Sequence, residues 1–311
     1  MKVRQLEAFQ AVVLTGSVTA AAERMSVSQP AVSQLLSQLE RTCGFKLFDR
    51  RGGKILPTRD AEALYREVRR LFVNVDRIAR VATAIKEQNW GSLRIGAFPA
   101  LARCIIPEIV LGFHEAHPGA RFHIQSMRSR TVIDAVAGQN IDLAISSLAG
   151  DRSEVESIHI HTMRAVCLLP AQHRLAARPA IHARDLEGED FISLGLQDSS
   201  KSIVDRIFDQ LNVHRNIVIE SGQSEPIYSF VAAKAGVSVV DPLCVYNQDG
   251  LNDPRVAVRA FVPQIDFGVW LIRPKSGREY GILGSFERHL INSLSVRLQA
   301  IDRSFEASSN N

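Results

Sequence analysis

Eight apolar residues between positions 61 and 85 recur at alternating spacings of three and four: Ala61, Leu64, Val68, Leu71, Val75, Ile78, Ala82 and Ile85. This is the a/d pattern of a heptad helix, sustained over three repeats, with Arg66, Glu67, Arg69, Arg70, Asp76, Arg77 and Arg80 in between. A long helix with one narrow apolar seam cannot bury that seam by itself. The pattern therefore predicts a linker helix over residues 59–89 that takes a partner helix. A seam packed on the chain's own body is the other reading. Gln88-Asn89-Trp90-Gly91-Ser92 ends the pattern and reads as a hinge. The helix thus splits the chain into a short part, residues 1–58, and a long one from residue 90 onward.

Charge divides the same way. Residues 1–90 carry 15 Lys and Arg against 9 Asp and Glu, whereas the remainder carries 22 against 24, within a total of +4. A basic N-terminal third on a slightly acidic body suits one polyanion-binding module attached to something else. At 311 residues and 46% hydrophobic content, two or three cores can be filled. No apolar run approaches the length of a membrane span, and Glu7 interrupts the N-terminus before any apolar stretch. A cytoplasmic protein with no membrane partner is expected. Cys43, Cys104, Cys167 and Cys244 are widely spaced with no C-x-x-C pair, as packing residues in a reducing compartment would be.

The short part reads as three helices and a hairpin. Arg4 to Leu14 is amphipathic and stops at Gly16; Ser17 and Thr19 offer hydroxyl caps for an Ala-rich helix from Ala20 to Met25. The consecutive alanines let two helices cross closely, as a helix-turn-helix requires. After Ser26-Val27-Ser28 comes a helix from Gln29 to Arg41, with Ser28 as its expected N-cap and Pro30 in its first turn. Val32, Leu35, Leu36 and Leu39 share one face of it. The opposite face, Pro30, Gln34, Ser37 and Arg41 flanked by Gln29, Ser33 and Gln38, is uncharged and short-chained until Arg41, able to donate to and accept from base edges, with a merely Ser/Gln-rich surface helix as the bland alternative. Two short strands then flank Gly52-Gly53, with Arg50, Arg51 and Lys54 placed to sit on phosphate, and Thr58 follows. Solvated charge is the bland alternative for those cations.

Leu6-Glu7-Ala8-Phe9, Gly16 to Ala22, Ser28 to Ser33 and Leu47-Phe48-Asp49-Arg50 together resemble the N-terminal pattern of the LysR-type transcriptional regulators. One departure is Gln34, where many members carry Arg or Lys. The resemblance implies a winged helix-turn-helix that binds double-stranded DNA through Thr19, Ser28, Gln29, Pro30, Ser33, Gln34, Ser37, Arg50, Arg51, Lys54 and Thr58. It also implies an antiparallel helix pairing between subunits, assembly as a dimer or homotetramer, RNA polymerase as a further partner, and a small-molecule effector.

From Leu93 the pattern changes to alternating strand and helix, as parallel sheets covered by helices would give. The fold class is accordingly α+β followed by α/β: the winged helix-turn-helix, the linker helix, and an effector domain of two subdomains, residues 90–303, that the resemblance likens to type 2 periplasmic binding proteins. The chain is expected to cross between subdomains near Met163–Val166 and Phe267–Leu271. That gives subdomain one residues 92–165 plus 268–303, subdomain two 166–267, and a frayed polar tail 304–311.

In such sheets a ligand lies beyond strand C-termini, beside helix N-termini. The candidate effector residues are Pro99, Ala100, Arg128, Ser129, Ser146, Gly195, Asp198, Ser199, Gln223 and Asp241. Hydroxyls, helix N-termini and Arg128 or Arg130 suit a carboxylate; Asp198 or Asp241 suits an ammonium. Each also has a plain reading as a cap or a solvated side chain. Phe191 to Leu194 with Asp198-Ser199, Ala235 to Leu243 and Leu271 to Pro274 resemble the lysine-biosynthesis and opine-catabolism branches of the family. An amino acid or amino-acid derivative, opine-like or a diamino acid, is the implied effector, a different carboxylate the alternative.

An enzyme finds little support. No G-x-S-x-G, Walker loop or dinucleotide fingerprint occurs, so no cofactor is called for. His114-x-x-His117 and His159-x-His161 have metal-compatible spacings but no accompanying cysteine or carboxylate cluster, and no metal is expected. A solute-binding protein would explain the second part and leave the helix-turn-helix unexplained.

Overall fold

The computed structural model describes residues 1–51, 54–86, 92–196, 198–246, 253–275 and 282–309. For residues 50, 51, 54, 70, 73, 74, 76, 77, 79–86, 199 and 306–309 it describes the backbone alone. The chain divides into two compact units, residues 1–83 and 84–311.

In the first unit, helices α1 (Val3–Thr15), α2 (Val18–Met25) and α3 (Gln29–Cys43) precede strands β1 (Phe48–Arg51) and β2 (Lys54–Pro57) and the long helix α4 (Arg59–Lys86). Gly16 closes α1 with φ 65°, a left-handed turn that needs no Cβ, and Ser17 caps α2 through Ala20 N–H. Phe9, Ala8, Ala21, Val32, Leu39, Leu47 and Ala61 are fully buried in one core. Residues Ala21 and Ala22 are small enough to let α1, α2 and α3 meet there. Ser28 takes the N-cap position of α3, but its hydroxyl makes no capping hydrogen bond, contrary to the sequence expectation. Strands β1 and β2 pair antiparallel, with Arg51 opposite Lys54.

The heptad seam divides along α4. Its early members Ala61 and Val68 are buried in the helix-turn-helix core, with Leu64 packed against it. Leu71, Val75 and Ile78 are exposed, Ile78 at 69%. The reading of a seam packed on the chain's own body thus holds for its first two turns, while Leu71, Val75 and Ile78 are left open to solvent. Residues 87–91, most of the expected hinge, lie outside the described residues.

The second unit holds β3 (Ser92–Ala97), α5 (Pro99–Ala116), β4 (Arg121–Ser126), α6 (Ser129–Ala137), β5 (Leu143–Ser146), β6 (Val155–Arg164), β7 (Val166–Pro170), β8 (Ala180–His182), β9 (Asp190–Leu194), α7 (Ser199–Gln210), β10 (Asn216–Ser221), α8 (Glu225–Ala232), β11 (Ser238–Val240), α9 (Leu243–Tyr246), β12 (Val256–Val262), β13 (Asp266–Pro274) and α10 (Leu283–Ser309). Subdomain one is a five-stranded sheet in the order β4-β3-β5-β13-β6. Subdomain two is a four-stranded sheet, β11-β7-β12-β8, joined through a bridge from Phe191 to Val237 to the pair β9 and β10. Gly236 makes that junction possible: at φ 155° a Cβ would lie 2.5 Å from Asp190 O.

The sheets are mixed rather than parallel. Strand β3 runs parallel to β4 and β5, but β13 is antiparallel to both β5 and β6, and β7 is antiparallel to β11 and β12. A chain that leaves a subdomain and later returns must run one strand outward and another back, so alternation of strand and helix alone overstates the parallel content. The outward crossing is at Ala165, whose N–H donates to Ile265 O at 2.9 Å on the return crossing. The return falls just before Asp266, two residues ahead of the expected boundary, because Asp266 and Phe267 already pair with Arg164 and Met163.

The C-terminus also differs from expectation. Helix α10 continues to Ser309, with Phe286, Leu290, Leu294, Leu298, Ile301 and Phe305 buried along one stripe. Phe305 anchors residues that a polar composition alone assigns to a frayed tail.

Candidate functional sites: the reading face and the cleft

Thr19 on α2 and Ser28, Gln29, Pro30, Gln34 and Ser37 on α3 are exposed, and Ser33 is half-buried. The outward face of α3 is therefore neutral and hydrogen-bonding along its first two turns. Gln38 is turned inward instead, accepting from the buried Gln5 amide at 3.1 Å, which ties α3 to α1. Thr58 has a structural engagement: its hydroxyl donates to Lys46 O at 2.8 Å and accepts from Ala61 N–H at 3.1 Å, capping α4. Gly52, Gly53 and the side chains of Arg50, Arg51 and Lys54 lie outside what the structure describes.

In the second unit, one cavity of about 480 Å³ opens between the subdomains. Four helices start on it. Pro99 and Ala100 open α5, Arg128 and Ser129 open α6, Asp198 caps α7 by accepting from Ser200 N–H at 2.8 Å, and Ser224 with Glu225 opens α8. Helix N-termini present unpaired N–H groups and a positive dipole end, so the cleft is prepared for negative charge. Subdomain one adds Arg128 and Arg130. Arg128 Nη2 lies 3.7 Å from where a Cβ on Gly222 would stand, so this guanidinium spans to subdomain two. Beside it, Ser129 Oγ accepts from Ser147 N–H at 2.9 Å and pairs with Ser147 Oγ at 2.8 Å.

The opposite wall is acidic. Asp198, Glu225 and Asp241 all line it. Asp241 accepts from Leu243 N–H at 3.0 Å at the start of α9. Burial, with the carboxylates of Asp198 and Glu225 close by, pushes its pKa up to about 7. Lys201 stands on the same side but is engaged: its ammonium donates to Ser193 Oγ at 2.9 Å and pairs with Glu220 at 3.1 Å and Asp205 at 3.3 Å.

Of the ten candidate effector residues, Pro99, Ala100, Arg128, Ser129, Asp198, Gln223 and Asp241 line this cavity. Ser146 does not: it is fully buried, its Oγ accepting from Leu148 N–H, and Ser147 faces the cavity in its place. Gly195 is packed under the Ser221–Gly222 backbone, donating to Ser221 O at 2.6 Å. The Ser199 side chain lies outside the described residues; Ser200 lines the cavity. Arg130, read from the sequence as an alternative to Arg128, lines the cavity too, whereas Lys201 and Glu225 escaped the sequence reading. Charged residues in a first helical turn look like solvated surface, and only the packing of two subdomains turns them inward.

The histidine pairs have local partners. His117 stacks on Phe113 at 4.1 Å between ring centroids, His159 hydrogen-bonds Thr162 Oγ1, and His161 pairs with Asp302. Among the described residues no group of three potential ligands could hold a metal, and no helix is long and apolar enough to cross a membrane.

A DNA-reading head joined to a sensor with a cleft defines an effector-controlled regulator. Residues 3–62 match the model of the bacterial regulatory helix-turn-helix proteins of the lysR family, and residues 86–290 match the LysR substrate binding domain. The chain belongs to the LysR family and is a DNA-binding transcription regulator with an effector-binding domain. It is 35% identical over 291 residues to the regulatory protein NocR of Agrobacterium fabrum, covering 94% of this chain and 96% of that one. It is 33% identical over 287 residues to the octopine catabolism/uptake operon regulatory protein OccR of Rhizobium meliloti, covering 92% and 94%. Full-length CbnR in complex with its target DNA has the same fold, with a TM-score of 0.67 at 20% identity, covering 94% of this chain and all of that one.

Proposed function

We propose that the effector is an amino-acid-type molecule held between the subdomains, and that it switches how paired reading heads sit on DNA. The observation that carries this is the polarity of the cleft. Arg128, Arg130, Ser129 and Ser147 on one wall suit a carboxylate, and Asp198, Glu225 and Asp241 on the other suit a cationic nitrogen. A simple carboxylate would satisfy only the first wall. The name of the relative that regulates octopine catabolism supports the same class, since octopine is an amino-acid derivative.

The exposed Leu71, Val75 and Ile78 support pairing of α4 with a second copy, as a dimer or within a homotetramer. Closure of the cleft on the effector would favour one arrangement of the heads over another, a population shift that requires the effector to prefer that arrangement. The setting is the cytoplasm, and RNA polymerase is the further partner. A thermal-shift screen of amino acids, opines including octopine, and nitrogen-free carboxylates on the full chain tests the class, because a specific ligand raises the melting temperature with concentration. Stabilisation by nitrogen-free carboxylates alone defeats it. A DNA footprint and bend that stay the same at saturating ligand defeat the switch.

A further inference from the structure

Lys201 sits on α7 one turn after Asp198, and three acceptors surround its ammonium, one for each N–H. They are Ser193 Oγ on β9 at 2.9 Å, Asp205 Oδ2 on α7 at 3.3 Å and Glu220 Oε1 on β10 at 3.1 Å. Behind this group stands Arg215, in the connection from α7 to β10. Its side chain is 7% exposed and does not line the cavity. Nη2 donates to Asp205 Oδ1 at 2.9 Å, and the guanidinium carbon lies 4.0 Å from the ring centre of Phe208 and 4.7 Å from that of Phe191. Nη1 is buried and meets no acceptor among the described residues.

The group is electrically balanced, Lys201 and Arg215 against Asp205 and Glu220. Replacing buried ion pairs by apolar side chains often costs a fold nothing, so stability alone does not account for it. A guanidinium lying over two buried aromatic rings with one donor left bare is placed by the rings rather than by its hydrogen bonds. What it supplies is direction. The apolar contacts of Val204 and Phe208 hold α7 against the sheet, but such contacts are non-directional and do not fix the rotation of a helix about its axis. Ionic hydrogen bonds do. Glu220 is half-exposed, so its hold on Lys201 is screened. The firm path runs from Phe191 and Phe208 through Arg215 to Asp205 and Lys201, next to Asp198 and Ser200 on the cavity wall.

We infer that Arg215 is a positioning residue of the cleft, which acts through Asp205 and Lys201 to fix the first turns of α7, and with them Asp198 and Ser200, against a bound ligand. This rests on the reading that the effector lies between the subdomains, and it holds for whatever class that effector belongs to.

Hydrogen exchange on the ligand-free full chain tests it. In Arg215→Met the amides of Ser202 to Asp205 should exchange about ten-fold faster or more, while those of Tyr228 to Val231 on α8 keep the parent's rate. Asp205→Asn breaks the path and leaves the aromatic rings in place. It should have the same effect, and it covers the case in which Arg215→Met does not fold. Combining the two should bring no further acceleration, since both lie on one path, and Arg215→Lys should restore part of the protection. With octopine as the probe, calorimetric affinity should fall about ten-fold in Arg215→Met, the loss of one well-aligned hydrogen bond. Unchanged exchange at Ser202 to Asp205, or additive effects of the two substitutions, overturns the inference. Equal acceleration throughout subdomain two also overturns it, by making Arg215 a plain stability contact. So does unaltered octopine affinity in a variant whose α7 has loosened. Absence of octopine binding to the parent overturns octopine as the effector instead, and the exchange data then decide the role of Arg215.

Discussion

The outward face of α3 and the walls of the cleft, the two proposed recognition surfaces, have opposite chemistry. Thr19, Ser28, Gln29, Pro30, Ser33, Gln34 and Ser37 carry no formal charge and lie on two consecutive helices, mostly open to solvent. The cleft brings together Arg128, Asp198, Glu225 and Asp241 from four separate elements, with Glu225 buried. A neutral face costs little to desolvate and discriminates by hydrogen-bond pattern, which suits testing many DNA sequences. A charged, partly dry cleft binds one small molecule strongly and rejects those lacking the matching charge. On this reading the neutral face supplies selectivity, and affinity comes from the wing cations and from holding several heads at once.

That contrast is broken most severely at the seam. Ile78→Asp places a charge on the exposed part of the α4 stripe and should separate paired copies. Linked heads gain about 10²–10⁴ in avidity over single ones, so operator affinity should fall by about that range, with the mass in solution dropping to one chain. An Ile78→Asp protein that stays paired and binds the operator normally would place the contact elsewhere. Next in size is Arg128→Ala. Charge-assisted hydrogen bonds to a carboxylate contribute about 1.5–3 kcal/mol, so effector affinity should drop roughly 10- to 150-fold. Operator affinity without effector should hold. Loss of both together would mean that the cleft and the head are not separable.

Within the head, Gln29→Ala should cost about 1–3 kcal/mol on the operator and little on unrelated DNA, since a base-edge contact carries sequence information. Arg51→Ala should weaken all DNA alike and reduce the salt slope by about one charge, as a phosphate contact does. Gel-shift titrations over a salt series separate the two. Equal losses on every sequence for both variants would remove the division between reading and anchoring.

The two regions also differ in how much of them is legible without a structure. The face of α3 follows from a period of 3.6, because Val32, Leu36 and Leu39 must be inside and their opposites outside. The cleft follows only in outline. Strand ends and helix starts locate Pro99, Ser129 and Asp198, but alternation at a strand end cannot say whether Ser146 or its neighbour turns toward the ligand space. Here Ser146 bonds inward to Leu148 and Ser147 faces out. Glu225 is invisible for a different reason. Next to Pro226, in a first helical turn, an acidic residue is ordinary, and its burial exists only once α5, α8 and the opposite subdomain meet. The antiparallel course of β13 and the anchoring of Phe305 likewise depend on contacts between residues far apart in the chain.

The smallest expected effect is a pH dependence confined to the cleft. Asp241 has its folded pKa raised to about 7 by burial first and then by Asp198 and Glu225, against the opposing pull of the Leu243 and Cys244 N–H groups. Arg128 and Arg130 face it from the other wall of the cavity. Because the folded pKa exceeds the ordinary value of 3.8, the folded chain holds a proton that the unfolded chain has released over the interval between them. The resulting contribution to stability is full below about pH 4 and is lost as pH rises through 7. Asp241→Asn keeps a carbonyl to cap Leu243 and removes the titration, so its melting temperature should vary less between pH 5 and 8 and exceed the parent's at pH 8. Parallel profiles for the two proteins would show that Asp241 is ionised throughout. A cationic effector opposes the same shift, because a positive group beside Asp241 favours its carboxylate form. Binding near neutral pH should then release protons, read as a dependence of the binding heat on the ionisation enthalpy of the buffer, and Asp241→Asn should abolish that dependence. Operator binding by the neutral face of α3 has no such group to titrate, so in the same buffers a proton signal from the reading residues would contradict their assignment.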